Sequence, residues 1–207
     1  MMSNRFEIDK KKEISSEEST CERIVTVALK LFCQKGYEAT AVHEIVDAAK
    51  VTKPVLYYYF KNKEALFQHI IENFISEFQS KLFQICSEAS RDYRSALKAI
   101  VDVYIEDAKL YPDRVRFIHT ITFSGLYDRV FDFVGFWKKG LEEVTNLFEK
   151  GQKDKFFRDD VSPKVLAHNF FALAHGAMNA ITYCPDFLKS EPSSEEIIEI
   201  FLNGIKR

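Results

Sequence analysis

Apolar residues recur along most of the chain with the three- and four-residue spacing that is typical of amphipathic helices. The first such face is formed by Ile24, Val27, Ala28, Leu31 and Phe32. Ser19 and Glu22 match the capping-box pattern before it, and Gly36 follows it as a glycine stop. The pattern predicts a first helix between Ser19 and Gly36, after a flexible charged arm over residues 1–18.

Two shorter helices are predicted next. The second predicted helix opens at Thr40, and its apolar face is formed by Val42, Ile45, Val46 and Ala49. The third follows Thr52, a residue type that favours helix N-caps, and has Pro54 in its first turn, where proline is tolerated. Two short helices joined by about three or four residues form a helix-turn-helix.

The third predicted helix combines aromatic and basic residues in the segment VTKPVLYYYFKNK, residues 51–63. Leu56 and Phe60 are four residues apart, so they share one face and are expected to pack on the first two helices. The outward side is then formed by Val55, Tyr58 and Tyr59, with Tyr57 at its edge. Such a face suits DNA, because hydroxyl and ammonium groups bind phosphate oxygens while first-turn residues reach base edges.

The remainder of the chain also has helical periodicity. Helices are predicted over residues 63–87, 92–110, 112–122, a segment that ends at about residue 150, 163–184 and 194–206, with Gly151 as the stop of the fourth of these. The predicted fold is all-α, with a three-helix helix-turn-helix domain over residues 19–62. A helical effector-binding and dimerisation domain is predicted over residues 63–207.

Composition and charge change this picture in one respect. The 207-residue chain is 46% hydrophobic, with 19 phenylalanines, 7 glycines and 5 prolines, which suits a helical protein with a sizeable core. Its net charge is −2, yet residues 48–63 hold four lysines and no acidic residue. A basic segment on an acidic chain is the pattern expected of a local DNA contact.

Other classes of chemistry receive little support. The four cysteines lack metal-ligand or CxxC spacing, which predicts reduced thiols and a cytoplasmic protein. No apolar run approaches the ~18–20 residues of a membrane span, and no signal-peptide pattern is present. His168 and His175 lie two helical turns apart without a third ligand nearby, so packing or pocket polarity is favoured over a metal site. No cofactor and no catalytic residue are predicted.

The segment VALKLFCQKGYEATAVHEIVDAAKVTKPVLYYYFKNKEALF resembles the DNA-binding domain of the tetracycline-repressor (TetR) family. The resemblance covers about a quarter of the chain. It rests on the Leu31-Phe32 to Gly36-Tyr37 helix end, Ala39-Thr40, Ile45, Val51-Thr52, Leu56-Tyr57, Tyr59-Phe60 and Lys63-Glu64-Ala65-Leu66-Phe67. The family usually has glycine where Lys50 and Pro54 stand, threonine where Ala41 stands and histidine where Tyr59 stands.

The resemblance implies a homodimeric transcriptional regulator, most simply a repressor, on a near-palindromic DNA operator. Base edges would be met by Lys53, Pro54, Val55 and Tyr58, and the DNA backbone by Thr52, Tyr57, Tyr59, Lys63, Thr40 and His43. In the family the last two long helices of each subunit pair in the dimer. The residues expected there are Leu173, Ala177, Ile181, Ile198, Phe201, Leu202 and Ile205.

A small-molecule effector is expected in the helical body. Sixteen of the 19 phenylalanines lie from Phe67 onward, and apolar cavities with a few polar groups are the usual small-molecule sites. The predicted lining combines aromatic walls with hydroxyl and imidazole groups, at Phe78, Tyr104, His119, Phe123, Trp137, Phe171 and His175. The expected ligand is a hydrophobic or amphipathic compound that weakens DNA binding.

Two other functions stay open at this point. One is a helical hydrophobe-binding protein whose first domain does not bind DNA, against which the acid-free segment 48–63 argues. The other is an enzyme that uses His119 or His175 in an apolar cavity. No GxSxG, P-loop, GxGxxG or HExxH motif supports an enzyme, and no enzyme activity is predicted.

Overall fold

The computed structural model describes residues 19–124, 132–184 and 193–205, and the predicted arm over residues 1–18 lies outside these ranges. Nine α-helices are found in the described ranges. They are α1 (Thr20–Lys35), α2 (Val42–Ala48), α3 (Lys53–Tyr59), α4 (Lys63–Glu88), α5 (Tyr93–Leu110), α6 (Pro112–Ser124), α7 (Phe133–Lys153), α8 (Pro163–Tyr183) and α9 (Ser194–Ile205). The all-α prediction is confirmed. In the described ranges, every helix is too short or too polar to cross a membrane.

The ends of α1 form as the sequence predicts. The Ser19 hydroxyl accepts a hydrogen bond from the Glu22 amide at 3.2 Å, and the Glu22 carboxylate accepts one from the Ser19 amide at 2.9 Å. This reciprocal pair satisfies two amides that have no partner inside the helix. At the other end, Gly36 has φ 84°, a backbone conformation that favours glycine.

Helices α1 to α3 form the head of the molecule and share a compact core with parts of α4 and α6. The buried side chains of this head core include Ile24, Phe32, Ile45, Leu56, Leu66 and Phe67. Burial of each such side chain contributes about 1.5–3 kcal/mol. The head core also includes Phe117 and Ile121 of α6, so the helix-turn-helix unit does not bury its apolar surface alone.

A second core fills the body between α5, α7, α8, α9 and the C-terminal half of α4. Its centre is aromatic. Phe148 packs against Phe157, Phe170 and Phe201, with ring centroids 4.8–6.2 Å apart. Helix α9 is also fastened to α5 by Arg94, which pairs with Glu195 and Glu199.

Two helices belong to both cores. The N-terminal half of α4 packs in the head and its C-terminal half in the body, and its 26 residues span about 39 Å. Helix α6 likewise places Val115 in the body core and Phe117 in the head core. A change of packing in the body therefore acts on the head through two rigid connections.

Two predicted boundaries are wrong. Helix α2 begins at Val42 rather than Thr40, because the Glu44 carboxylate accepts from the Ala41 amide at 2.9 Å and closes the helix start there. Gly151 does not stop α7, which continues to Lys153. A Cβ at Gly151 would overlap the ring of Phe157, so glycine serves close packing there and not helix termination.

Candidate functional site

The turn between α2 and α3 has the hydrogen-bond pattern of a Schellman motif. The Val51 amide donates to the Val46 carbonyl at 2.9 Å, and the Lys50 amide donates to the Asp47 carbonyl at 3.2 Å. Lys50 occupies the left-handed position of the motif with φ 53°. A side chain in that conformation costs about 1 kcal/mol relative to glycine, which explains why glycine is usual there in the family that the sequence resembles.

Helix α3 presents one buried and one exposed face. Leu56 and Phe60 are buried in the head core, as predicted. Tyr58 is 82% exposed, and Tyr57 and Tyr59 are also exposed, with the rings of Tyr58 and Tyr59 in edge contact at 5.1 Å. Among the other predicted DNA contacts, Thr52, Lys53, Pro54 and His43 are exposed and Val55 is half-buried.

The N-terminus of α3 leaves donors for an anion. Thr52 occupies the N-cap position, but its hydroxyl does not cap the helix. Pro54 has no amide hydrogen and the Val55 amide donates to the Thr52 carbonyl at 3.0 Å. The donors of the first turn without a partner inside the helix are therefore the Lys53 amide and, at the N-cap, the Thr52 hydroxyl. A phosphate oxygen can accept from both of these donors, and the helix dipole favours negative charge beside them.

Two predicted DNA contacts are directed elsewhere in this structure. Thr40 is 0% exposed, and its hydroxyl donates to the Gly36 carbonyl at 2.8 Å, so its side chain cannot reach DNA. The Lys63 ammonium donates to the carbonyls of Tyr37 and Thr40 at 2.8 and 3.0 Å and lies 4.3 Å from the Tyr37 ring centroid. Lys63 thereby fastens the start of α4 to the α1–α2 connection.

A large cavity lies in the body, between α4, α5, α6, α7 and α8. Its volume is about 990 Å³, at the upper end of the range for small-molecule sites. Six predicted lining residues surround it: Phe78, Tyr104, His119, Trp137, Phe171 and His175. The side chain of Phe123 lies outside the described residues. A smaller cavity of about 470 Å³ adjoins the first and shares Trp137, Phe171 and His175 with it.

The cavity holds two pairs of hydroxyl and imidazole groups. The Tyr104 hydroxyl lies 3.4 Å from His175 Nε2, and the Tyr183 hydroxyl lies 2.8 Å from His119 Nδ1. Burial lowers the pKa of His175 to about 4, and repulsion from His119, when that ring is protonated in acid, adds to the effect. Burial also lowers the pKa of His119. Both imidazoles are therefore neutral at neutral pH and can donate or accept one hydrogen bond each.

Two charged residues that line the cavity, Arg114 and Asp107, were not predicted from the sequence. Arg114 is buried, pairs with Glu77 at 3.0 Å and donates to the Phe74 carbonyl at 2.9 Å. Asp107 is only 9% exposed. A signal for Asp107 was present, since it lies three residues after Tyr104 and seven after Ile100, on the apolar face of α5. A carboxylate on an apolar helix face is unusual enough to mark a site.

A metal site receives no support from the described residues, since no three potential ligand side chains converge there. His168 is exposed and lines the smaller cavity, as do Lys138 and Trp137. Its spacing from His175 therefore reflects a shared helix face of α8.

The predicted dimer residues fall into two groups. Ile198, Phe201 and Leu202 belong to the body core, and Leu202 is 4% exposed, because α9 turns this face toward α5 and α8. Ala177 is buried in the same core. These four predictions are corrected: the residues stabilise the subunit itself. The side chain of Ile205 lies outside the described residues, and Ile181 is half-buried.

An apolar strip does remain on the outside of the last two helices. Leu173 on α8 is 39% exposed, and Gly176 follows it one turn later. On α9, Ile200 is 69% exposed although it lies only two residues before buried Leu202. The exposed apolar face of α9 is thus opposite to the face that the sequence analysis assigned.

The sequence of the helix-turn-helix unit matches a known family. The profile described as "Bacterial regulatory proteins, tetR family" matches residues 24–70. The HTH-type transcriptional repressor KstR2 of Rhodococcus jostii (strain RHA1) is 29% identical over 146 residues, which cover 67% of this chain and 68% of that protein. Alignments with the next curated relatives cover between 26% and 32% of those proteins.

Solved structures resemble about nine-tenths of the chain. The ketosteroid transcriptional regulator KstR2 of Mycobacterium tuberculosis has a TM-score of 0.73 at 16% identity, and the match covers 92% of this chain and 97% of that one. AibR in complex with isovaleryl coenzyme A and operator DNA has a TM-score of 0.67 at 20% identity, and the match covers 91% and 98%. At these identities the likeness establishes a shared fold.

Proposed function

We propose that this chain, whose residues 24–70 match the tetR family of bacterial regulatory proteins, is a ligand-responsive repressor of that family that binds a near-palindromic DNA operator as a homodimer. The observation that carries the proposal is the exposed face of α3, where three tyrosines and Lys53 follow a helix-turn-helix connection. A cytoplasmic location and the absence of enzyme activity accompany the proposal, since DNA is the target and the site needs no chemistry.

On DNA, α3 would enter the major groove with its first turn toward the base edges. Lys53, Pro54, Val55 and Tyr58 are proposed to lie against bases, where the ring carbons of Pro54 suit a thymine methyl group. The Thr52 hydroxyl and the Lys53 amide would bind a phosphate. Further backbone contacts are proposed for Tyr57, Tyr59 and His43.

The dimer is proposed to form through the exposed strip of α8 and α9 that contains Leu173, Gly176 and Ile200. An exposed apolar surface of this kind favours association, and a small residue such as Gly176 allows two helices to approach closely. Two-fold symmetry would then place two copies of α3 in successive major grooves, about 34–36 Å apart. The AibR structure, which contains isovaleryl coenzyme A and operator DNA, supports a ligand and an operator acting on this fold.

Ligand binding is proposed to reach the head through α4 and α6. Phe74 and Ile75 of α4 and Ile118 of α6 line the cavity and also pack on the head core. A ligand that shifts either helix changes the tilt of the head and the separation of the two α3 helices. A coupling free energy of about 1–3 kcal/mol changes operator affinity about 5–150-fold.

The proposal is tested by selecting bound sequences from a random DNA library and footprinting the result. We expect two half-sites related by two-fold symmetry and a dimer in light scattering. Tyr58→Ala should relax sequence preference, whereas Tyr111→Ala, which removes an exposed tyrosine from the body, should leave it unchanged. A footprint without two-fold symmetry, or unaltered specificity in Tyr58→Ala, would overturn the proposal. A protein that binds hydrophobic ligands but no DNA would instead be a helical carrier.

A further inference from the structure

Asp107 places a carboxylate in the cavity lining, where a purely apolar ligand would have no group to bind it. It lines the large cavity from α5 and is nine-tenths buried. Among the described residues, no donor lies within hydrogen-bond or ion-pair distance of its carboxylate. Arg114 and Lys81 act on this carboxylate through their charge alone, so its placement facing an open cavity points to a hydrogen-bond donor that arrives with the ligand.

The charges around the cavity exclude an anion as the preferred ligand. Of the described lining residues, Arg114 is the one that carries a fixed positive charge, and Glu77 and the Phe74 carbonyl already engage its guanidinium. His119 and His175 are neutral at neutral pH because burial lowers the pKa of each. A carboxylate ligand would meet Asp107 without a free cation to bind.

The walls of the cavity favour a positive charge as well as an apolar body. Aromatic rings line it from four helices: Phe74, Phe78, Tyr104, Phe136, Trp137 and Phe171. Ring faces attract cations that lie within about 6 Å of their centroids, most strongly when water is excluded. Phe74 already binds a cation in this way, since the Arg114 guanidinium lies 4.5 Å from its centroid.

We propose that the effector is an amphipathic organic cation, with an ammonium or amidinium group held by Asp107 and an aromatic or aliphatic body held between the rings. The inference rests on the proposed function, since it names the ligand class of the same regulatory cavity. Burial raises the pKa of the Asp107 carboxyl against the opposing pull of Arg114 and Lys81. A bound ammonium group would favour the ionised carboxylate and donate a charge-assisted hydrogen bond from its own N–H to the carboxylate oxygen.

The test uses three probes that share one skeleton: 4-phenylbutylamine, 4-phenylbutan-1-ol and 4-phenylbutanoate. Trp137 is the only tryptophan of the chain and lines the cavity, so its fluorescence reports binding without a label. Calorimetry on the same samples gives the affinities. We expect the amine to bind at least about tenfold more tightly than the alcohol, as a charged hydrogen bond provides, and the carboxylate to bind most weakly.

Two variants separate the role of Asp107 from general effects of charge. Asp107→Asn keeps the shape and should lower amine affinity to that of the alcohol, with alcohol binding unchanged. Glu106→Gln removes the neighbouring carboxylate, which is exposed on the same helix, and should leave the order of the three probes unchanged. Thermal unfolding of each variant verifies that the fold is intact.

The outcomes distinguish this inference from the regulatory proposal. Equal affinity for amine and alcohol, or an amine preference that persists in Asp107→Asn, overturns the cation site. If the alcohol alone releases the operator, ligand-responsive repression stands and the cation site fails. If the amine binds through Asp107 without any effect on operator affinity, the cation site stands and the ligand-responsive part of the proposed function fails.

Discussion

Replacement of Lys63 by methionine separates a structural role for this residue from a DNA contact. The substitution keeps an apolar stem of similar length against the Tyr37 ring and removes the ammonium group. The carbonyls of Tyr37 and Thr40 then lose a donor at 2.8 and 3.0 Å, respectively. Because these carbonyls lie in the connection that positions α2, losing the two hydrogen bonds destabilises the helix-turn-helix unit.

The magnitude follows from the two hydrogen bonds. A hydrogen bond to a charged group contributes about 1.5–3 kcal/mol when it is buried. Lys63 is half-buried and water can replace part of the lost interaction, so we expect a combined loss of about 2 kcal/mol. For a chain of 150–250 residues, each kcal/mol corresponds to about 2–4 °C, which predicts a fall in Tm of about 4–8 °C.

The assay pairs thermal unfolding with operator binding at several salt concentrations. Lys63→Met should lower Tm while leaving the slope of log affinity against log salt unchanged, since the ammonium faces the protein. Lys61→Met is the matched control, because Lys61 is exposed two residues earlier. An unchanged Tm together with a slope reduced by about one would show that Lys63 binds a phosphate, as the sequence analysis expected, and would refute this reasoning.

Three further predictions follow from the structure. Ile200→Asp should produce stable monomers by light scattering, whereas Leu202→Asp should unfold the subunit, since it buries an unpaired charge at a cost of several kcal/mol; the same outcome for both variants would contradict the assigned faces. Lys50→Gly should relieve the left-handed φ of 53° and raise Tm by about 1–3 °C. The unfolded state protonates His175 near pH 6.5, but the folded state has a pKa of about 4, so acid favours unfolding between these values. Urea unfolding at about pH 7 and pH 4.5 should show about 2 kcal/mol of this loss in the parent and less in His175→Gln.

Local sequence determined most of the secondary structure. Helix faces repeat every three to four residues, and caps such as Ser19–Glu22 and the glycine stop at Gly36 act within one turn of chain. The exposed tyrosines of α3 were also predictable, because a seven-residue helix with Leu56 and Phe60 inward has only one other face. These features depend on neighbours within about five positions, which the sequence contains.

Six of the predicted residues line the described cavity, because aromatic and polar side chains on the apolar faces of several helices meet in the same interior space. Asp107 and Arg114 were missed, since a charge is normally assigned to the surface. These two residues line the cavity because α4, α5 and α6 pack around a space that no single helix defines.

Only the tertiary structure decided which of two apolar faces of α9 is covered. Ile200 and Leu202 are similar in the sequence, yet one is exposed and the other is in the core. Thr40, Lys63 and Gly151 differ from their predicted roles for the same reason: a distant carbonyl or ring occupies the space beside each of them. Sequence periodicity gives the direction of a face relative to its own helix, whereas the partner of that face is set by long-range packing.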